Sequence, residues 1–211
     1  MKINIRNYLA LASINGITCH KLAQLVKKHP EFDSLSKLSI KEQTELKLPK
    51  TFKSSLNKID WQPIDAMLDW EKASEKNHLI IFINDNYPKL LKHIPDPPPF
   101  LFAKGKVELL KLDAIAIVGS RHASNQGNEN AFNFSKALAE RGYVIISGLA
   151  QGIDTNSHKG AIAANGLTIA VMGTGINKVY PHKNKLLAES ISNCGLLLSE
   201  FPLDTKPMPY N

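Results

Sequence analysis

Hydrophobic positions along the chain follow two regimes that change near residue 78. Before it, apolar residues recur in short stripes at three- and four-residue spacing, the period of an amphipathic helix. Leu22, Leu25 and Val26 form one stripe behind Thr18, a residue suited to cap the helix that carries them. Ser39 and Glu42 have the spacing of a capping box. A further helix is expected to begin at Pro63, present Met67, Leu68 and Trp70, and stop at Asn77. After residue 78 the apolar residues come in continuous runs, which fit buried strands. Leu79-Ile80-Ile81-Phe82-Ile83 is the first and ends in the turn Asn84-Asp85-Asn86-Tyr87-Pro88. The segment Ile94–Pro99 cannot be helix or central strand, because prolines remove ladder donors. Phe100–Ala103 then reads as a short strand.

From Ala114 a regular alternation begins. Strands are expected at Ala114–Gly119, Tyr143–Ser147, Leu167–Gly173 and Gly195–Glu200, with helices near 127–141, 154–165 and 183–193. Apolar runs separated by helical windows predict βαβ units. The fold class is therefore α/β, Rossmann-like, with a mostly parallel sheet carrying helices on both faces. A small all-α domain precedes it, so the expected domains are residues 1–78 and 79–211. Within the first, Ile14-Asn15-Gly16-Ile17-Thr18 has part of the form of a helix-hairpin-helix loop, although its second glycine is missing. A plain turn between two helices is the alternative.

Composition narrows the class without deciding the function. The chain of 211 residues is 43% apolar and 21% charged, as expected of a soluble globular protein. No apolar stretch approaches the roughly 20 residues needed to cross a bilayer, and the N-terminus has no secretory signal pattern, so a cytoplasmic location is expected. Cys19 and Cys194 are far apart and lack metal-ligand neighbours, which predicts two reduced thiols and no metal site. The net charge of +7 favours polyanionic partners. It is spread as +4 up to residue 78 and +3 beyond. An anion site must therefore come from folded geometry and not from a basic tail.

The residues that could carry chemistry cluster where three strands end: Gly119-Ser120-Arg121, Ser147-Gly148 with Gly152 and Asp154, and Gly173-Thr174-Gly175. In an open parallel sheet that edge receives ligands. Each loop is expected to open a helix and to turn free backbone N–H groups toward a common anion. Arg121 would add a planar donor fork suited to phosphate. A Walker A loop is absent. A dinucleotide fingerprint at Gly173-Thr174-Gly175 is a rival, with Glu200 as the ribose-binding acid, but Lys178 stands at its third glycine. A hydrolase would draw on Ser147, Asp154 and His158, yet no Gly-x-Ser-x-Gly elbow is present. Asp154 is expected to cap the helix carrying His158 and to pair with it four residues on.

Several runs resemble the DNA-processing protein A (DprA/Smf) family. They are Ala116–Arg121 with Ser124 and Gly127; Ser147–Asp154 with His158 and Gly160-Ala161; Thr168–Gly175 with Tyr180-Pro181 and Asn184; and Ser199-Glu200-Phe201-Pro202. Tyr87-Pro88 and Pro97-Pro98-Pro99 upstream also fit, so the resemblance spans roughly residues 79–207 in order. It implies an extended Rossmann fold behind a small SAM-like or helix-hairpin-helix-like module. The implied activity is non-enzymatic and cofactor-free: binding single-stranded DNA, often as a homodimer, and passing it to the RecA recombinase in natural transformation.

By position the resemblance makes Gly119, Ser120, Arg121, Ser124, Ser147, Gly148, Gly152, Gly173, Thr174, Gly175, His182, Lys183 and Asn184 phosphate-binding or pocket-lining. Asp154, His158 and Tyr180 become loop-shaping. The family usually has a lysine just after Tyr-Pro, a place that His182 and Lys183 share here. Asp204 stands where glycine is usual. The family also continues past the position of Asn211 with an arginine-rich segment, a further strand and often a winged helix. The expectation is therefore a shortened form. Two alternatives stay open: a nucleotide-processing enzyme of the phosphoribohydrolase type, and a form that no longer binds DNA.

Overall fold

The structure, a computed structural model, describes residues 4–208. In chain order the elements are α1 (Ile5–Ala12), α2 (Cys19–Lys28), α3 (Phe32–Ser36), α4 (Ile40–Glu45), α5 (Phe52–Leu56) and α6 (Trp61–Lys72); then β1 (Asn77–Ile81), β2 (Phe100–Gly105), β3 (Ala114–Ala116), α7 (Asn125–Glu140), β4 (Val144–Ser147), α8 (Ile153–Ala163), β5 (Thr168–Val171), α9 (Lys185–Cys194) and β6 (Leu196–Ser199). The chain forms two compact units. One holds the described residues up to Ala73 together with Ile81–Phe100; the other holds Ser74–Ile80 and the described residues from Leu101 on.

The helical unit follows its capping signals. Thr18 caps α2 by accepting from Lys21 N, and the Ser39–Glu42 capping box closes in both directions. Gly16 turns the chain between α1 and α2 with φ +85°. The last helix departs from expectation: α6 begins at Trp61 behind the cap Asp60, whose carboxylate accepts from Gln62 N, and it ends at Lys72. Asn77 lies in β1. Proline fits within the first helical turn, where its missing N–H has no intrahelical role, so Pro63 does not mark the start.

A single cut near residue 78 does not separate the units, because the chain revisits the helices between Ile81 and Phe100. The proline segment gives the physical reason. Pro97, Pro98 and Pro99 offer carbonyls but no N–H, so they can be held only by donors from elsewhere. Tyr8 Oη donates to Pro99 O at 2.9 Å, Tyr87 Oη to Pro98 O at 2.8 Å, and Cys19 Sγ to Pro97 O at 2.7 Å. His20 meets the Phe82 ring edge-on. Both cysteines are free thiols, and burial pushes that of Cys19 up to about 11.

The second unit is α/β. Its six-stranded sheet has the order β1-β2-β6-β5-β4-β3. The run β3-β4-β5-β6 is parallel, and β2 pairs antiparallel with β6. Strands are shorter than the apolar runs suggest, because the ends of those runs turn into loops. Ile117 N still reaches Ile146 O at 2.9 Å beyond β3. Helices surround the sheet, and α7 packs closely on α8 over a core of Ala139, Ile145 and Ala161.

His158 is fully buried in α8. It does not turn to Asp154. Its Nδ1 lies 2.7 Å from Thr168 Oγ1, whose own hydroxyl donates to Ile145 O at 2.7 Å. With that proton committed, Thr168 can only accept, so His158 carries its hydrogen on Nδ1 and is neutral. Burial lowers its pKa from 6.5 to about 4. The folded protein therefore binds this proton less readily than the unfolded chain, and stability is complete above pH 6.5 and lost as pH falls toward 4. The loss attributable to His158 is on the order of 3 kcal/mol. Urea unfolding at pH 7.0, 5.5 and 4.5 should show this decline, and His158→Leu should flatten it. An equally steep decline in the variant would assign it to other groups.

Candidate functional site

The site is built where β3 and β4 end and α7 and α8 begin. Ser124 caps α7 by accepting from Gly127 N at 3.1 Å, and Ser120 Oγ accepts from His122 N at 3.0 Å, which curls the Ser120–Ser124 turn. Ser147 is buried and its hydroxyl donates to Ile117 O at 2.7 Å, tying the ends of β3 and β4 together. The loop after β4 then crosses onto the first. Gly152 adopts φ +83°, and a Cβ there would lie 2.3 Å from Ser120 O and 2.9 Å from Arg121 O. Only glycine permits both the backbone angle and the approach.

The same packing engages backbone N–H groups around the start of α8. Ile153 N donates to Ser120 O at 3.3 Å and Thr155 N to Ala150 O at 3.1 Å. Asp154 is buried, and its Oδ2 accepts from Ala150 N at 3.3 Å. Its negative charge sits in the first turn of α8, where the helix dipole favours it. The N–H groups of Ile153 and Thr155, at the start of α8, are therefore engaged within the fold.

The third loop is engaged elsewhere. Gly175 N donates to Thr205 O at 3.0 Å, and a Cβ on Gly175 would fall 2.2 Å from Pro202 O. Thr174 is buried; its hydroxyl donates to Lys178 O, and its carbonyl accepts from Ser199 Oγ at 2.6 Å. Tyr180 is exposed and precedes a cis peptide to Pro181. His182 begins a short 3-10 turn, His182–Asn184, that leads into α9.

An open groove of about 540 Å³ runs along α8. Of the sequence candidates it is lined by Arg121, Gly152, Lys183 and Asn184, whereas Gly119, Ser120, Ser124, Ser147, Gly148, Gly173, Thr174, Gly175 and His182 do not line it. The wall also includes His122, Asn128, Gln151, Thr155, Asn156 and Lys159, none of which was singled out from sequence. A signal for some of them existed: Thr155 and Lys159 stand four residues apart on one face of α8. Among the described residues that line the groove none is acidic, and no ion pair engages Arg121, Lys159 or Lys183. Asn156 Nδ2 bonds Asn128 Oδ1 and Gly152 O, both at 2.9 Å, which fixes the groove floor. No group of three or more His, Cys, Asp or Glu side chains that could hold a metal occurs among the described residues. No helix there is long and apolar enough to cross a membrane.

Asn184 is buried and acts on the loop. Its Nδ2 donates to Leu149 O at 2.8 Å and to Thr155 Oγ1 at 2.9 Å. Leu149 has φ +60°, an uncommon angle for a non-glycine residue, and the Asn184 bond holds its carbonyl in that conformation. Replacing Asn184 by Ala leaves a buried carbonyl without its donor, which should cost about 2 kcal/mol. Urea unfolding checks this, and hydrogen exchange should quicken over residues 149–155. Unaltered stability and exchange would remove Asn184 from this role.

Comparison with known proteins places these features. The family described as DNA recombination-mediator protein A matches residues 78–211. Protein Smf of Escherichia coli (strain K12) is 36% identical over 204 residues, covering 96% of this chain and 53% of its own length. The X-ray structure of DNA processing protein A from Streptococcus pneumoniae superposes with a TM-score of 0.75 at 34% identity, covering 100% of this chain and 72% of that one. DNA processing protein A from Helicobacter pylori, whose structure addresses its single-stranded DNA binding mode, gives a TM-score of 0.55 at 28% identity over 63% of this chain and 60% of its own. The chain spans about half or less of the length of the curated relatives Protein Smf of Synechocystis sp. and Protein Smf of Escherichia coli.

Proposed function

The chain belongs to the DNA recombination-mediator protein A family, and from that premise we propose that it binds single-stranded DNA by its phosphates, in the groove along α8. One observation carries the reading: Arg121, Lys159 and Lys183 line a groove in which no described residue is acidic. Cations on side chains suit a phosphate backbone, and they read no sequence. Arg121 projects from the turn that Gly152 fixes, so its guanidinium is presented by a rigid support.

The same reading extends to a non-enzymatic role. The protein would act in the cytoplasm as a carrier that hands single-stranded DNA to the RecA recombinase during DNA uptake, working as a homodimer. His158, which a hydrolytic alternative would need as a base, is buried against Thr168 and lies outside the groove lining.

Binding through phosphates makes affinity fall with salt, with a slope of about −0.7 per phosphate neutralised on a single strand. Arg121→Ala should weaken binding of a labelled oligothymidylate and make the slope shallower by about 0.7. Fluorescence anisotropy across a salt series measures both. Identical affinity and slope in the variant would refute the assignment of Arg121.

A further inference from the structure

The groove is larger than a single phosphate requires. Its volume of about 540 Å³ lies within the roughly 300–1,000 Å³ of sites that enclose a drug-sized molecule. Its cations are also spread along it. Gly152 at the start of α8 packs beneath the Ser120 and Arg121 carbonyls, which puts Arg121 at one end. Asn184 is bonded to Leu149 O and to Thr155 in the first turn of α8, which brings the neighbouring Lys183 to the same end. Lys159 lies seven residues beyond Gly152, about 10 Å further along the helix axis. Thr155 and Asn156 stand between.

We infer that the groove holds two consecutive phosphates of one strand with a nucleoside between them, and that Lys159 takes the second phosphate. This rests on the proposed reading of the groove as the DNA site. The ordinary alternative is that Lys159 is one more solvated lysine on an exposed helix face. Two features favour a ligand role. Lys159 has no ion pair among the described residues, and no acidic residue lines the groove to hold it elsewhere. The stretch between the two charged ends, Thr155 and Asn156, is polar but uncharged, with Asn156 Nδ2 fixed to Asn128 Oδ1 and Gly152 O. Charge is therefore selected at the ends alone, whatever base or sugar lies between.

The probes are thymidine 5′-monophosphate and thymidine 3′,5′-bisphosphate, competing with a labelled oligothymidylate. The bisphosphate should displace it about tenfold better than the monophosphate, the value of one charge-assisted contact. Lys159→Gln should reduce that advantage to near parity and make the oligonucleotide salt slope shallower by about 0.7. Lys136→Gln serves as the control, because Lys136 pairs with Glu140 at 3.9 Å and does not line the groove. It should retain the full advantage. A full advantage in Lys159→Gln overturns the inference, as does an equal loss in both variants. If neither mononucleotide competes, the slope decides, and an unchanged slope in Lys159→Gln overturns it. Arg121→Ala separates this outcome from failure of the underlying reading. If Arg121→Ala weakens binding while Lys159→Gln has no effect, only the second subsite is lost; if Arg121→Ala has no effect either, the groove itself is the wrong site.

Discussion

The candidate site depends on one close approach, the backbone of Gly152 against the carbonyls of Ser120 and Arg121. A Cβ at Gly152 would lie 2.3 Å from Ser120 O, far inside van der Waals contact, so the approach is possible for glycine alone. Through it the loop after β4 is seated on the loop after β3, and Ile153 N closes the seat by donating to Ser120 O. The groove residues of the first loop and of α8 take their place from that seat. Arg121 and His122 stand above it, and α8 starts directly from it, carrying Thr155, Asn156 and Lys159. Asn184 then braces the seat from a third segment by holding the carbonyl of Leu149 in a left-handed residue. A buried amide with several partners does this well, since each bond it makes is lost at full desolvation cost if the segment moves away.

Using the backbone for packing has a chemical consequence. A helix N-terminus attracts anions through N–H groups that lack partners. At α8 the N–H groups of Ile153 and Thr155 are taken by Ser120 O and Ala150 O, and the carboxylate of Asp154 sits in the same turn. Arg121, Lys159 and Lys183 add positive charge from side chains along the groove. Such side chains meet an anion differently from a glycine-rich phosphate cradle. A cradle encloses one phosphate in fixed geometry, whereas long basic side chains along an open groove follow a flexible backbone and need no particular base. The distribution of charge agrees, since the excess of +7 is not gathered into a tail.

Much of this was legible in the sequence, and the parts that were not share a cause. The βαβ order, the helices of the second unit and the capping residues Thr18 and Ser39 follow from local patterns, because a cap or an apolar period is decided by neighbours a few residues away. Arg121 and Gly152 are legible because they stand at strand and helix ends, and Lys183 and Asn184 through the family resemblance alone. Lys159, Asn156 and Asn128 were missed because a polar residue one or two turns inside a helix looks the same whether it faces solvent or a groove. Only the packing of α7 on α8 distinguishes the two. The partner of His158 was misjudged for a related reason. Four-residue spacing made Asp154 available, but Thr168, ten residues away in β5, presents the nearer oxygen.

The proline segment shows the same limit from the other side. Its composition excludes helix and central strand, and it forms neither. What composition cannot supply is the identity of the donors, because a carbonyl without a local N–H is satisfied by whatever side chain the fold brings to it. Here those donors are Tyr8, Cys19 and Tyr87, and two of them come from α1 and α2. The polar bookkeeping of Pro97–Pro99 therefore assigns residues 81–100 to the helical unit even though their apolar run, Leu79–Ile83, begins as a strand of the sheet. Local pattern decides which elements form. Unsatisfied backbone groups decide which unit a segment joins, and in this chain both the proline segment and the groove loops are placed by that second rule.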